Sequence, residues 1–98
     1  MLGANDECYL CRYLFGIRNT QNLERHHCFE GGTSGRRKMS EKHDLTVMLC
    51  APHHRDSKIG VHFYKENELI IKRMAQEYYE ANIGSRDDFR RDFIKSYL

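Results

Sequence analysis

The chain has 98 residues, a length that admits one small core and excludes two independent ones. Its mean hydropathy of −0.76 leaves a lean core, so a bound metal is expected to help hold the fold. No run of 18 apolar residues occurs, which excludes a membrane-spanning helix, and the start MLGANDECYL lacks the basic and apolar regions of a secretory signal, which points to the cytoplasm.

The predicted elements follow in chain order. Residues 8 to 15 begin with CYLC, a Cys-x-x-Cys turn of zinc-knuckle type, and the stretch NTQNLERHHCF predicts a short strand after a polar turn. Residues 31 to 38, GGTSGRRK, combine three glycines with a basic run and predict a mobile loop. The net charge of +2 identifies no partner, but residues 12 to 38 carry six basic side chains against Glu24 and Glu30, whereas residues 39 to 98 carry ten of each sign. LTVMLC, residues 45 to 50, suits a buried strand. Pro52 then fits the first turn of a helix running through HHRDSK until Gly60. From Lys65 to Asn82 the apolar residues Leu69, Ile70, Met74 and Tyr78 recur with helical period, and NIGS ends that helix at Gly84. Ser85 and Asp88 match an N-terminal capping pair, after which Phe89, Phe93, Ile94 and Tyr97 form the apolar face of a final helix. Both helices are expected to support the core rather than to bind a ligand.

Four cysteines could form two disulfides in a secreted chain, but a reducing compartment favours thiolates on a metal. Cys8 and Cys11 share their spacing with Cys50 and His53, so the two halves together predict a Cys3His structural zinc site with no open position. The alternatives are a redox Cys-x-x-Cys or unrelated buried cysteines. Cys28 is left over and is expected to be a small buried apolar residue. Five histidines remain: His26, His27, His43, His54 and His62. Successive strand residues point to opposite faces, so His26 and His27 should divide their labour, one on a metal and its neighbour acting as general base. Likewise His53 turns to the structural zinc, while His54, about 100° around the helix, turns to a second, catalytic metal. His43 is expected at the solvent-exposed SEKHD turn, and Asp56 on the helix surface.

These pieces, CYLC, ERHHCFEGG and LCAPHHRD, resemble the HNH nucleases with their ββα-metal fold, over about half of the chain. The run RHHCFEGG through SEKHDLTVMLCAPHHRDSKIGVHF, with the closing FRRDFIKSYL, is similar to small phage-encoded HNH-like proteins. The resemblance implies an α+β fold, with a zinc-knuckle-stabilised ββα-metal core followed by two C-terminal helices. It implies that His26 ligates a catalytic divalent ion, that His27 is the general base and that His54 is a second ligand. It leaves the third ligand to His62, with Glu30 as a weaker candidate. Where the family has an orienting Asn this chain has Asp44 and Leu45, so Asp44 would orient the base or bind the metal. Lys58, four residues past His54, would contact phosphate. The implied activity is metal-dependent endonuclease hydrolysis of DNA phosphodiesters, with RNA second. The implied cofactors are a structural Zn²⁺ and a catalytic ion such as Mg²⁺, Mn²⁺, Ni²⁺ or Zn²⁺. Arg36, Arg37 and Lys38 would hold the backbone. The aromatic face of the last helix could pair with a second copy or with a phage or host protein. The alternative is a non-catalytic zinc module of the same fold, a regulator or inhibitor that binds nucleic acid or protein.

Overall fold

A computed structural model of the chain describes residues 1–30 and 35–98. Its order is α1 (Tyr9–Phe15), β1 (Leu23–His27), α2 (Arg36–Lys42), β2 (Thr46–Cys50), α3 (Ala51–Arg55), α4 (Lys65–Asn82) and α5 (Arg86–Phe93). The fold is α+β: β1 and β2 form an antiparallel pair, and the helices pack around it. None of the described helices is long and apolar enough to cross a membrane.

The pairing register fixes what each face of the sheet presents. Leu23 lies opposite Cys50, Arg25 opposite Met48 and His27 opposite Thr46; between them Glu24 lies opposite Leu49 and His26 opposite Val47. Side chains alternate along a strand, so Glu24 and His26 share one face while Arg25 and His27 share the other. α3 serves the first face and α2 the second.

Three local expectations are corrected. The first knuckle is a helical turn: Cys8 is the N-cap of α1, its sulfur accepting from the backbone N–H of Cys11, and Gly16 closes the helix with a φ of 65°. The loop expected over residues 31 to 38 partly lies outside the described residues, and its basic end is not a loop, because Arg36, Arg37 and Lys38 form the start of α2. What holds this short polar helix is tertiary: Ser40 is buried and bonds both the N–H and the carbonyl of Phe29. The helix after Cys50 stops at Arg55 rather than running to Gly60. Asp56 leaves the helical region and its carboxylate accepts from the N–H groups of Lys58 and Ile59, which competes with further helix.

The C-terminal helices have the expected starts. α4 spans Lys65–Asn82, and Ser85 with Asp88 forms a reciprocal capping box on α5. The buried face of α4 is one residue off the predicted one: Ile71, Ala75 and Tyr79 face the core, whereas Tyr78 is exposed. Asn67 and Gln76 share that buried face because each has a backbone partner, Asn67 donating to the carbonyl of Ile59 and Gln76 accepting from the N–H of Tyr97. α5 ends at Phe93, and Ile94 follows with a φ of 79° and its side chain in solvent. Phe29, just past β1, sits in an aromatic cluster with Phe89, Phe93 and Tyr97 at centroid distances of 5.2, 4.5 and 5.6 Å. Each buried phenylalanine contributes roughly 1.5–3 kcal/mol, enough to anchor the end of β1 and with it the histidine pair.

Candidate functional site

Among the described residues, two groups of side chains able to hold a metal form where the hairpin meets α1, α3 and the turn beyond it. The first brings together Cys8, Cys11, Cys50 and His53, all buried. The Sγ atoms of Cys8, Cys11 and Cys50 lie 3.5, 3.4 and 3.4 Å from His53 Nδ1, and Cys11 and Cys50 have their sulfurs 3.9 Å apart. A tetrahedral ion with ordinary zinc bond lengths needs about 3.6 Å between sulfur and nitrogen and about 3.8 Å between sulfurs. The donors are therefore already at bonding spacing, and the group could hold a metal such as zinc. Asn19 adds an N–H···S contact of 3.5 Å to Cys11. Burial pushes the Cys50 thiol up to about 12 and moves Cys11 in the same direction, so these thiols stay protonated until a cation displaces the protons. Cys28 is buried apart from this group and burial raises its thiol too, in keeping with a packing role.

The second group brings His26, His54 and His62 together, with one ligand atom from each lying within 4.8 Å of the others. Their ring centroids are 5.1, 5.3 and 5.0 Å apart. His26 comes from β1, His54 from α3 and His62 from the turn beyond α3. That turn depends on Gly60, where a Cβ would sit 2.6 Å from the carbonyl oxygen of Asp56. Burial is graded across the group: His26 is buried, His54 half-buried and His62 exposed. Burial first, then the neighbouring His54 and His62, pushes His26 down to about 3, so its ring is neutral at ordinary pH. Its Nδ1 is a buried polar atom with no hydrogen-bond partner among the described residues. An orphaned imidazole nitrogen inside a ring of imidazoles fits a cation.

Carboxylates back this second group. Glu24, which shares the His26 face of β1, accepts from His54 Nδ1 at 2.7 Å and pairs with Arg55 at 2.7 Å. His54 and then Arg55 hold the Glu24 carboxyl below its ordinary range. With its Nδ1 engaged, His54 offers Nε2 as the ligand atom, the carboxylate–histidine arrangement common behind bound metals. Glu30 lies 3.4 Å from His62 Nε2 with one oxygen and 4.0 Å from His27 Nδ1 with the other.

His27 is held on the opposite face of β1. Its Nε2 lies 2.6 Å from Glu41 of α2, which also takes a two-pronged bond from Arg25 at 3.0 and 3.0 Å. A cleft of about 500 Å³ opens here, lined by Arg25, His27, Arg37, Lys38 and Glu41. Arg36 is half-buried and stands outside that lining. Asp44 is elsewhere than expected: its carboxylate meets the terminal nitrogen of Met1, and the group on His27 is Glu41. Lys58 sits in the turn after α3, fully outside the helical register assumed for it. His43 is packed rather than solvent-facing, bonded to Asp92 at 3.2 Å and edge-on to Tyr79.

Glu24 and Glu41 carry no motif of their own in the sequence, because acidic residues beside basic ones, Arg25 and Lys42, read as solvated surface. For Glu24 a signal existed: it stands two residues before His26, and therefore on the same strand face. No family model, curated protein or solved structure matches the chain.

Proposed function

We propose that the chain is a metal-dependent endonuclease of HNH type, with a ββα-metal core, that hydrolyses phosphodiester bonds of DNA. The observation that carries this reading is the buried, orphaned nitrogen of His26 inside a three-histidine group, one residue before a histidine that faces a basic cleft. His26, His54 and His62 would hold the catalytic ion, and Cys8, Cys11, Cys50 and His53 the structural zinc. When bound, a divalent ion in the histidine group stabilises charge on the phosphate and on the leaving oxygen.

The chain's own groups supply the rest. His27 takes a proton from the attacking water, a role imidazole suits at neutral pH. Arg37 and Lys38, exposed at the rim of the cleft, neutralise flanking phosphates, which gives salt-sensitive binding with little reading of bases. Lys58 would reach phosphate from the turn beyond α3. Cys50 and His53, at the start of α3, would fix that helix when they hold a zinc, so that His54 is presented at a constant angle.

The test is cleavage of supercoiled and linear DNA at low salt with Mg²⁺, Mn²⁺, Ni²⁺ or Zn²⁺ added in turn, beside His27→Ala. Metal-dependent nicking is expected, falling about 10²- to 10⁴-fold in His27→Ala without loss of DNA binding. Folded protein carrying one zinc that cleaves nothing with any ion would sink the nuclease reading and leave a zinc-stabilised binding module.

A further inference from the structure

The bonds around His27 decide which of its nitrogens is free. Arg25 and His27 stand on the same face of β1, two residues apart, and Glu41 reaches both from the last turn of α2. Arg25 donates from Nη1 to one oxygen of Glu41 and from Nη2 to the other, each at 3.0 Å. Arg25 first, and His27 second, hold the Glu41 carboxyl down at about 2, so it is ionised and can only accept. A neutral imidazole has one N–H, and a nitrogen 2.6 Å from an ionised carboxylate oxygen must carry it. In the neutral ring the hydrogen is therefore on Nε2 and the lone pair on Nδ1. Nδ1 lies 4.0 Å from one oxygen of Glu30, whose other oxygen lies 3.4 Å from Nε2 of His62, so Glu30 stands between His27 and the three-histidine group.

We propose that Glu41 is the positioning residue for His27, clamped by Arg25, and that it sets the ring's tautomer and angle so that Nδ1 is the atom that receives the proton. The chemistry in this proposal rests on the nuclease reading; the orientation of the ring does not. A purely structural alternative is that Glu41 only ties α2 to β1 through Arg25. Such a solvated ion pair contributes little to stability, and its loss would leave the state of the His27 ring unchanged.

Glu41→Ala and Glu41→Gln separate these roles. In Glu41→Ala, kcat for DNA cleavage is expected to fall about 10- to 100-fold, as when groups behind catalytic histidines are removed, while KM and the bound metal stay unchanged. Removing a negative charge from a basic cleft does not weaken the attraction for DNA, so weaker binding cannot produce that fall. Glu41→Gln, whose amide can accept from Nε2–H but can also donate to a bare Nε2, should recover only part of the lost rate. Two-bond ¹H–¹⁵N correlations of the His27 ring give a second readout that needs no cleavage. A fixed Nε2–H form is expected in the native chain, a mixture of tautomers in Glu41→Ala, and an intermediate distribution in Glu41→Gln. Native cleavage with an undiminished kcat in a folded Glu41→Ala, or a ring unchanged by the substitution, overturns the proposal. If the native chain cleaves nothing, the nuclease reading falls alone. Glu41 then stands as the group that fixes His27 if Glu41→Ala mixes the tautomers, and falls if it does not.

Discussion

The two ligand groups use the same hairpin and adjacent histidines, yet they are built to opposite specifications. Around His53 the donors are three sulfurs and a nitrogen, all buried, with spacings that already match a tetrahedral ion. Around His54 the donors are three nitrogens graded from buried to exposed, backed by a carboxylate, with one side open toward solvent. Closure and soft ligands leave no coordination position for a substrate, whereas an open histidine set does. One step along α3 thus separates a group suited to holding the fold from a group suited to meeting a ligand.

The sharpest way to break this contrast is Cys11→Ser. Structural zinc in small domains carries an apparent binding energy of about 10–16 kcal/mol, comparable to or above the roughly 5–15 kcal/mol net stability of a whole domain. Loss of the cooperative thermal transition and of bound zinc is expected, measured by circular dichroism and metal analysis. A variant that melts like the native chain would show that the cysteine group does not hold the fold. The corresponding change in the other group, His54→Ala, should remove binding of the second ion in calorimetry while leaving one zinc and the melting curve in place.

Acid should act on the two groups differently. Burial raises the thiols of Cys11 and Cys50 in the metal-free state, so zinc capture expels protons and zinc affinity climbs with pH. His26 is held neutral down to about 3 and has no proton to expel. Competition titrations at several pH values should therefore show a steeper slope for the cysteine group; equal slopes would count against this difference.

A smaller effect is expected behind His54. Glu24→Ala frees the imidazole to turn, and should weaken the second ion about 10- to 100-fold without touching zinc content. The smallest concerns the cleft: Arg37→Ala should reduce the salt slope of DNA binding by about 1 for a lost phosphate contact, uniformly across sequences. An unchanged slope would remove Arg37 from the interface.

How much of this could be seen in the sequence varied with the range of the interactions involved. The Cys-x-x-Cys and Cys-x-x-His spacings, β1, β2 and the bounds of α4 are local signals, and local signals survive without tertiary knowledge. α2 leaves no local signal, because RRKMSEK has no apolar stripe and follows glycines; what seats it is the buried Ser40 on the backbone of Phe29. The buried face of α4 is hidden from the periodicity by one residue because Asn67 and Gln76 are polar by composition but satisfied in place. The partners of His27 and His54 come from residues distant in sequence, and no spacing rule points to them.

His53 and His54 are neighbours on a five-residue helix, too short to twist independently at its two ends. Whatever seizes His53 also sets the aim of His54, so the two centres would fill in sequence, cysteine group first. A newly made chain short of zinc would then lack a properly aimed second pocket, and whatever the proposed second ion does would be withheld until folding had finished.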